Sequence, residues 1–161
     1  MVEIGVVKIN KPDEVQFILG HASFIKTVED LYEAMVTSVP NIKFGLAFAE
    51  ASGPCLIRLE GNDEAMRRLA EQNMLRLSAG HTFMIFFKDA YPINIVNAIK
   101  SVPEVVGIHC ATANSVEIIT VTTEQGVGVL GVVDGFKSRG IEEVKDKENR
   151  ARFLRELGYK R

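Results

Sequence analysis

An α+β fold, a single domain over residues 1–161 with helices packed on a mixed β-sheet, is what this sequence predicts, and three observations predict it. Segments of strand length outnumber helical ones by eight to four. They fall in the order β-β-α-β-β-α-β-α-β-β-β-α, whereas a doubly wound parallel sheet needs regular strand–helix alternation. The third is size and composition: 161 residues, 47% hydrophobic and 25% charged, make one ordinary globular domain. Mass scaling gives such a chain a folded surface of roughly 8,000 Å² and a sizeable core without disulfides. There is no fixed-period repeat, low-complexity segment or linker.

Val2 to Ile9 alternates as a half-buried strand does, Lys11-Pro12-Asp13 makes a turn, and Val15 to Leu19 is expected to return as the second strand of a hairpin-like pair. Thr27 reads as a helix N-cap, with Glu29 and Asp30 suiting the positive end of the helix dipole. Val28, Leu31, Tyr32, Met35 and Val36 then form one apolar stripe, and Pro40 stops the helix. Lys43 to Glu50 and Cys55 to Glu60 are strands joined by Ala51-Ser52-Gly53-Pro54. Asn62 or Asp63 caps a second helix that buries Met66, Leu69, Ala70, Asn73 and Leu77, with Gly80 as its expected left-handed terminator. Thr82 to Phe87 is apolar throughout, so it reads as a central strand covered on both faces. Pro92 starts a third helix that runs to Lys100. Val105 to Ala111, Val116 to Thr122 and Val127 to Val133 are strands, and a last helix uses Ala151, Leu154 and Leu157.

Composition excludes several classes. No apolar run is long enough to span a membrane, and no secretory leader pattern opens the chain. Cys55 and Cys110 both lie in strand-like runs and read as reduced core thiols, consistent with a cytoplasmic protein. Charge divides unevenly: residues 1–136 carry ten basic against sixteen acidic side chains, net −6, and residues 137–161 carry nine against five, net +4. The basic tail reads as a solvated helix with a Glu148–Arg152 pair, and the overall acidity argues against nucleic acid as partner.

Phosphate-loop, kinase glycine-loop and zinc spacings are all missing. Gly126 to Gly131 matches G-x-G-x-x-G, but strand and turn follow it instead of the helix that a dinucleotide site requires, so the glycines read as thinning a strand. The candidates for chemistry are side chains beside regular elements. His21 and His81 each follow a glycine in a connection from which a rigid scaffold can aim an imidazole, with capping or surface roles as the competing reading. His109, inside an apolar strand, reads as a buried core residue. Lys26 and Lys43 are candidate phosphate partners. Glu50 and Ser52 flank a small-residue turn a ligand could approach, and Asn94 could read a base or ribose edge. Asp134 and Asp63 are candidate magnesium ligands, with a plain turn and a helix cap as their alternatives.

Taken in order, Gly20-His21 with Phe24 to Leu31, Lys43-Phe44-Gly45, Glu50 to Gly53, Gly61-Asn62-Asp63, Ala79-Gly80-His81, Pro92-Ile93-Asn94, Ala111 to Asn114 and Gly131 to Gly135 resemble the adenosine-specific kinase family over nearly the whole chain. The resemblance implies a homotrimeric α+β protein that binds adenosine or AMP, takes a phosphoryl group from ATP or another nucleotide donor with Mg²⁺, and passes it through or near a histidine. In those terms His81, with His21 in reserve and Lys26 beside them, carries the chemistry, and Lys43, Glu50, Ser52 and Asn94 hold nucleoside and phosphate. Two positions depart from the family pattern: Asn114-Ser115 in place of Asn-Pro, and Val127 in place of an arginine. A non-catalytic adenosine- or AMP-binding regulator is the alternative expectation.

Overall fold

The computed structural model describes residues 1–161. In chain order the elements are β1 (Glu3–Lys8), β2 (Gln16–Ala22), α1 (Thr27–Ser38), β3 (Lys43–Ala49), β4 (Ile57–Gly61), α2 (Glu64–Leu77), β5 (Thr82–Lys88), α3 (Pro92–Lys100), β6 (Val105–Thr112), β7 (Val116–Thr122), β8 (Val127–Asp134) and α4 (Val144–Glu156). The class is α+β, as the strand and helix counts predict. The strands divide into two sheets, one of five strands in the order β4-β3-β5-β2-β6 and one of three in the order β1-β7-β8, and every pairing is antiparallel. No helix is long and apolar enough to cross a membrane.

β5 is the middle strand of the larger sheet, and its continuous apolar run has the physical reason expected of it. Phe83, Ile85 and Phe87 enter one core with residues of α1 and α3, while Met84 and Phe86 enter the other with α2 and the smaller sheet. All five are fully buried, and each such side chain contributes roughly 1.5–3 kcal/mol of hydrophobic stabilisation. α2 lies so close to β3 that Gly45 has no room for a side chain: a Cβ there would stand 2.2 Å from the Arg67 nitrogen.

Several local expectations are corrected. β1 and β2 do not form a hairpin: β1 pairs with β7, and β2 lies between β5 and β6. The buried Asn73 of α2 explains the divergence, since its side-chain amide both accepts from the Asn10 N–H and donates to the Asn10 carbonyl, each at 2.9 Å. Those bonds tie the connection to α2 and carry the chain from one sheet to the other. Lys26, not Thr27, is the N-cap of α1; Thr27 is the first helical residue, and its hydroxyl donates back to the Phe24 carbonyl. Cys55 lies outside β4, exposed, with a left-handed φ of 51°. Cys110 alone is a buried thiol, and burial pushes its pKa up to about 12.

Gly126 and Gly131 have open space where a Cβ would stand, so their strand is not thinned for packing at those positions. α4 buries no residue at all. Its ion pairs run from Arg150 to Glu142 and from Arg152 to Glu156 in place of the expected Glu148–Arg152 pair. Phe136, Ile141 and Phe153 are 87%, 94% and 57% exposed. The total surface of 9926 Å² therefore exceeds the roughly 8,000 Å² typical of a compact chain of this mass.

Candidate functional site

Strand direction gathers the site. β2 and β3 both run antiparallel to β5, so their C-terminal ends meet the N-terminal ends of β4, β5 and β6 along one edge of the larger sheet. That edge carries His21 at the end of β2, Glu50 after β3, Arg58 in β4, His81 before β5 and His109 in β6. Of the sequence candidates, His21, His81, Glu50, Ser52 and Lys26 all belong to this end.

His81 is the most constrained. Its N–H donates to the Ala49 carbonyl at 2.8 Å and its carbonyl accepts from the Ala22 N–H at 2.9 Å, so the backbone is clamped between β3 and β2. It does this in the left-handed region, with φ 60°, which costs a non-glycine residue about 1–2 kcal/mol. The expected left-handed Gly80 is corrected here: the positive φ angles belong to Ser78 (49°), which closes α2, and to His81 itself. Gly80 is needed for space, because a Cβ on it would stand 3.0 Å from the Cβ of Ala51.

Around the His81 ring stand three partners. Phe48 stacks on it at 5.9 Å between ring centroids and 18° between planes. His21 approaches edge-on at 6.0 Å. Glu50 places Oε1 3.5 Å from His81 Nε2. The Glu50 carboxylate also accepts from the Ala51 N–H at 3.0 Å and from Arg58. These contacts, the Ala51 N–H first, hold its pKa below the usual carboxylate range, so it is an anion at neutral pH. The His21 pKa is lowered as well, which for a base favours the neutral form: burial, and then the neighbouring His81 and His109, disfavour its proton.

The sign of the His21 shift gives a stability prediction. A folded-state pKa below the ordinary histidine value of 6.5 means that the unfolded chain binds the proton first as pH falls. Stability is therefore complete above about pH 6.5 and declines as pH drops through the lower folded value. Urea midpoints measured across this range should fall on the acid side, and the decline should be shallower in His21→Asn.

Lys26 sits in a separate charge cluster at the start of α1, 2.8 Å from Asp30 and 3.8 Å from Glu104. The Glu104 carboxyl is buried and neither of its oxygens receives a hydrogen bond. Burial first, and then the Asp30 carboxylate, push its pKa up. Sequence reasoning named Lys26 and noted Asp30 but missed Glu104; its only sequence signal is a carboxylate directly ahead of the apolar Val105-Val106.

Two adjoining cavities open at this end. The larger, about 1000 Å³, runs from Glu50 and Ala51 past Leu56, Leu59 and Leu75 to Val127. The smaller, about 430 Å³, holds His21 and His109. They meet at Gly80, Val127 and Gly128, so the glycine-rich strand is a wall of the site. His109 is corrected from core to exposed. The register of β6 against β2 jumps from Leu19↔Cys110 to Gly20↔Ile108, leaving His109 in a β-bulge, a device that re-aims a side chain.

The remaining candidates are not brought to this edge. Lys43, at the start of β3, pairs with Lys88, which places it about 20 Å away along the strand. Asp63 caps α2 by accepting from the Met66 N–H at 3.1 Å. Asn94 Oδ1 accepts from the Tyr91 N–H at 2.8 Å at the start of α3. Asp134 accepts from the Asn114 amide at 3.1 Å in a turn where Gly135 has φ 70°. Nowhere do three or more His, Cys, Asp and Glu side chains gather as metal ligands, so the residues present do not form a cage for a divalent ion.

A search of curated proteins finds no match. Among solved structures, the chain is similar to the PH1918 protein from Pyrococcus horikoshii OT3, known from its crystal structure, at 44% identity and a TM-score of 0.96, over 100% of this chain and 99% of that one. The family model described as adenosine specific kinase matches residues 7–160. By that match the chain belongs to the adenosine specific kinase family.

Proposed function

We propose that the protein transfers a phosphoryl group from a nucleotide donor to adenosine, with His81 as the covalent carrier. The observation that supports this most is the ionised Glu50 beside His81 Nε2 at 3.5 Å. A proton held on Nε2 by that carboxylate leaves Nδ1 unprotonated and nucleophilic. The Nδ1 lone pair attacks the donor's terminal phosphorus, a P–N bond forms, and the bond to the leaving nucleoside diphosphate breaks. An adenosine hydroxyl oxygen then attacks the same phosphorus, the P–N bond breaks, and neutral His21, 6.0 Å from His81 between ring centroids, takes the hydroxyl proton. The apolar wall of Leu56, Leu59 and Leu75 suits a purine, and Glu50 and Ala51 line the same cavity, with Ser52 next in the chain. Asp134 and Asp63 stand apart from this edge, and no step above runs through a metal.

A second reading, a regulator that binds adenosine or AMP without turnover, is favoured by one observation: neither cavity has a lysine or arginine in its wall. ADP formation from ATP separates the two. Adenosine should stimulate it and guanosine should not, because a site that hydrogen-bonds one base leaves polar groups unpaired with another. No adenosine-dependent ADP, with adenosine binding intact by calorimetry, would leave the regulator.

We also propose that the chain associates with copies of itself, as a trimer. The support is the exposed apolar tail around Phe136, Ile141 and Phe153 and the net +4 of residues 137–161 against the net −6 of residues 1–136, a complement one copy can offer another. Light scattering at micromolar concentration should give about three times the 17.8 kDa chain mass. A mass of one chain would remove the proposal.

A further inference from the structure

We propose that the smaller cavity is the anion pocket for the nucleotide's phosphate, with His109 and His21 as its two imidazole contacts; this rests on the phosphoryl-transfer reading above and deepens it. Four observations meet here. First, His109 is carried out of the strand alternation by the bulge in β6, and the register on β2 puts His21 opposite Gly107, two residues from His109. The two imidazoles therefore come from neighbouring strands into one cavity of about 430 Å³. Second, they are the only titratable side chains in its wall. The larger cavity beside it carries the carboxylates Glu50 and Glu71, so an anion is repelled from one compartment and not from the other.

Third, three glycines, Gly80, Gly107 and Gly128, line the cavity, and nothing lies within 4 Å of where a Cβ on Gly107 would stand. Backbone can approach a tetrahedral anion closely where side chains are missing. Fourth, burial, His81 and His109 together disfavour a proton on His21. A phosphate between His21 and His109 can accept an N–H from each ring, and His21 makes this bond while neutral, its second nitrogen staying free to take the adenosine hydroxyl proton. This also accounts for phosphate binding in a wall without lysine or arginine, the feature left by Val127.

The test uses inorganic phosphate as the probe and the full-length protein with isotope-labelled histidine. In the native protein, the His21 and His109 imidazole resonances should move saturably on titration with phosphate. His109→Asn should bind phosphate about tenfold more weakly, and His109→Lys, which supplies a strong N–H donor to phosphate, should recover the affinity. Adenosine affinity by calorimetry should be unchanged in both variants, which a general loss of structure would not allow; His109 is exposed on an edge strand, so both should fold. An unmoved His109 resonance, or phosphate binding in His109→Asn as tight as in the native protein, would overturn the proposal. Because the readout is equilibrium binding, it stays distinct from the covalent step: saturable shifts without any phosphorylated histidine would keep the pocket and remove the carrier role of His81.

Discussion

Turnover in His81→Asn is expected to fall at least about a thousandfold, because removing a covalent carrier leaves only binding and orientation to act on the substrates. Asparagine is the informative replacement. His81 holds a left-handed φ of 60°, a region asparagine enters more readily than alanine or a branched residue. The clamp from the Ala49 carbonyl and the Ala22 N–H is made by backbone alone and survives the exchange. Thermal midpoint and adenosine affinity should therefore stay close to those of the native protein while kcat collapses. Steady-state ADP production with calorimetry on the same sample checks it; a loss smaller than tenfold would move the carrier role to His21.

The largest structural effect is expected at Gly45. An added Cβ would lie 2.2 Å from the Arg67 nitrogen, 2.3 Å from the Met66 carbonyl carbon and 2.5 Å from the Arg67 Cα. All three obstacles are backbone, so no rotamer change relieves them, and α2 must move away from β3. That displacement loosens Met66, Ala70 and Met74 in the core they share with Met84 and Phe86. Gly45→Ala should lower the unfolding free energy by about 3 kcal/mol. Gly131→Ala, with nothing within 4 Å of its Cβ position, should change it by no more than about 0.5 kcal/mol. Urea unfolding of both proteins makes the comparison, and equal midpoints would contradict the packing described for α2 on β3.

What could be read from the chain depended on how local the cause was. β5 was legible because an uninterrupted apolar run from Thr82 to Phe87 has few uses other than a strand buried on both sides. The Gly-His pairs were legible as site candidates, since both sit where elements end. The hairpin expected of β1 and β2 failed because its cause is distant: Asn73 lies 63 residues from the Asn10 backbone it captures. His109 was misread for a related reason. A bulge is a mismatch between two strands, and neither strand's own pattern records it. Lys43, Asn94, Asp63 and Asp134 have chemistry that suits a site, although Asp63 reads equally as the helix cap that the structure shows. Whether they meet the histidines depends on which strand ends point the same way, and that is fixed only once β2 and β3 both pair antiparallel to β5.

The account stands or falls on a phosphate bonded to a ring nitrogen of His81. Incubating the native protein with ATP and magnesium, then mapping acid-labile, base-stable phosphate by mass spectrometry, tests this directly. The label is expected on the peptide carrying His81, absent in His81→Asn, and discharged when adenosine is added, with AMP formed in the same amount. Label that persists unchanged in His81→Asn, or a native protein that takes up none while it turns over adenosine, would contradict the account.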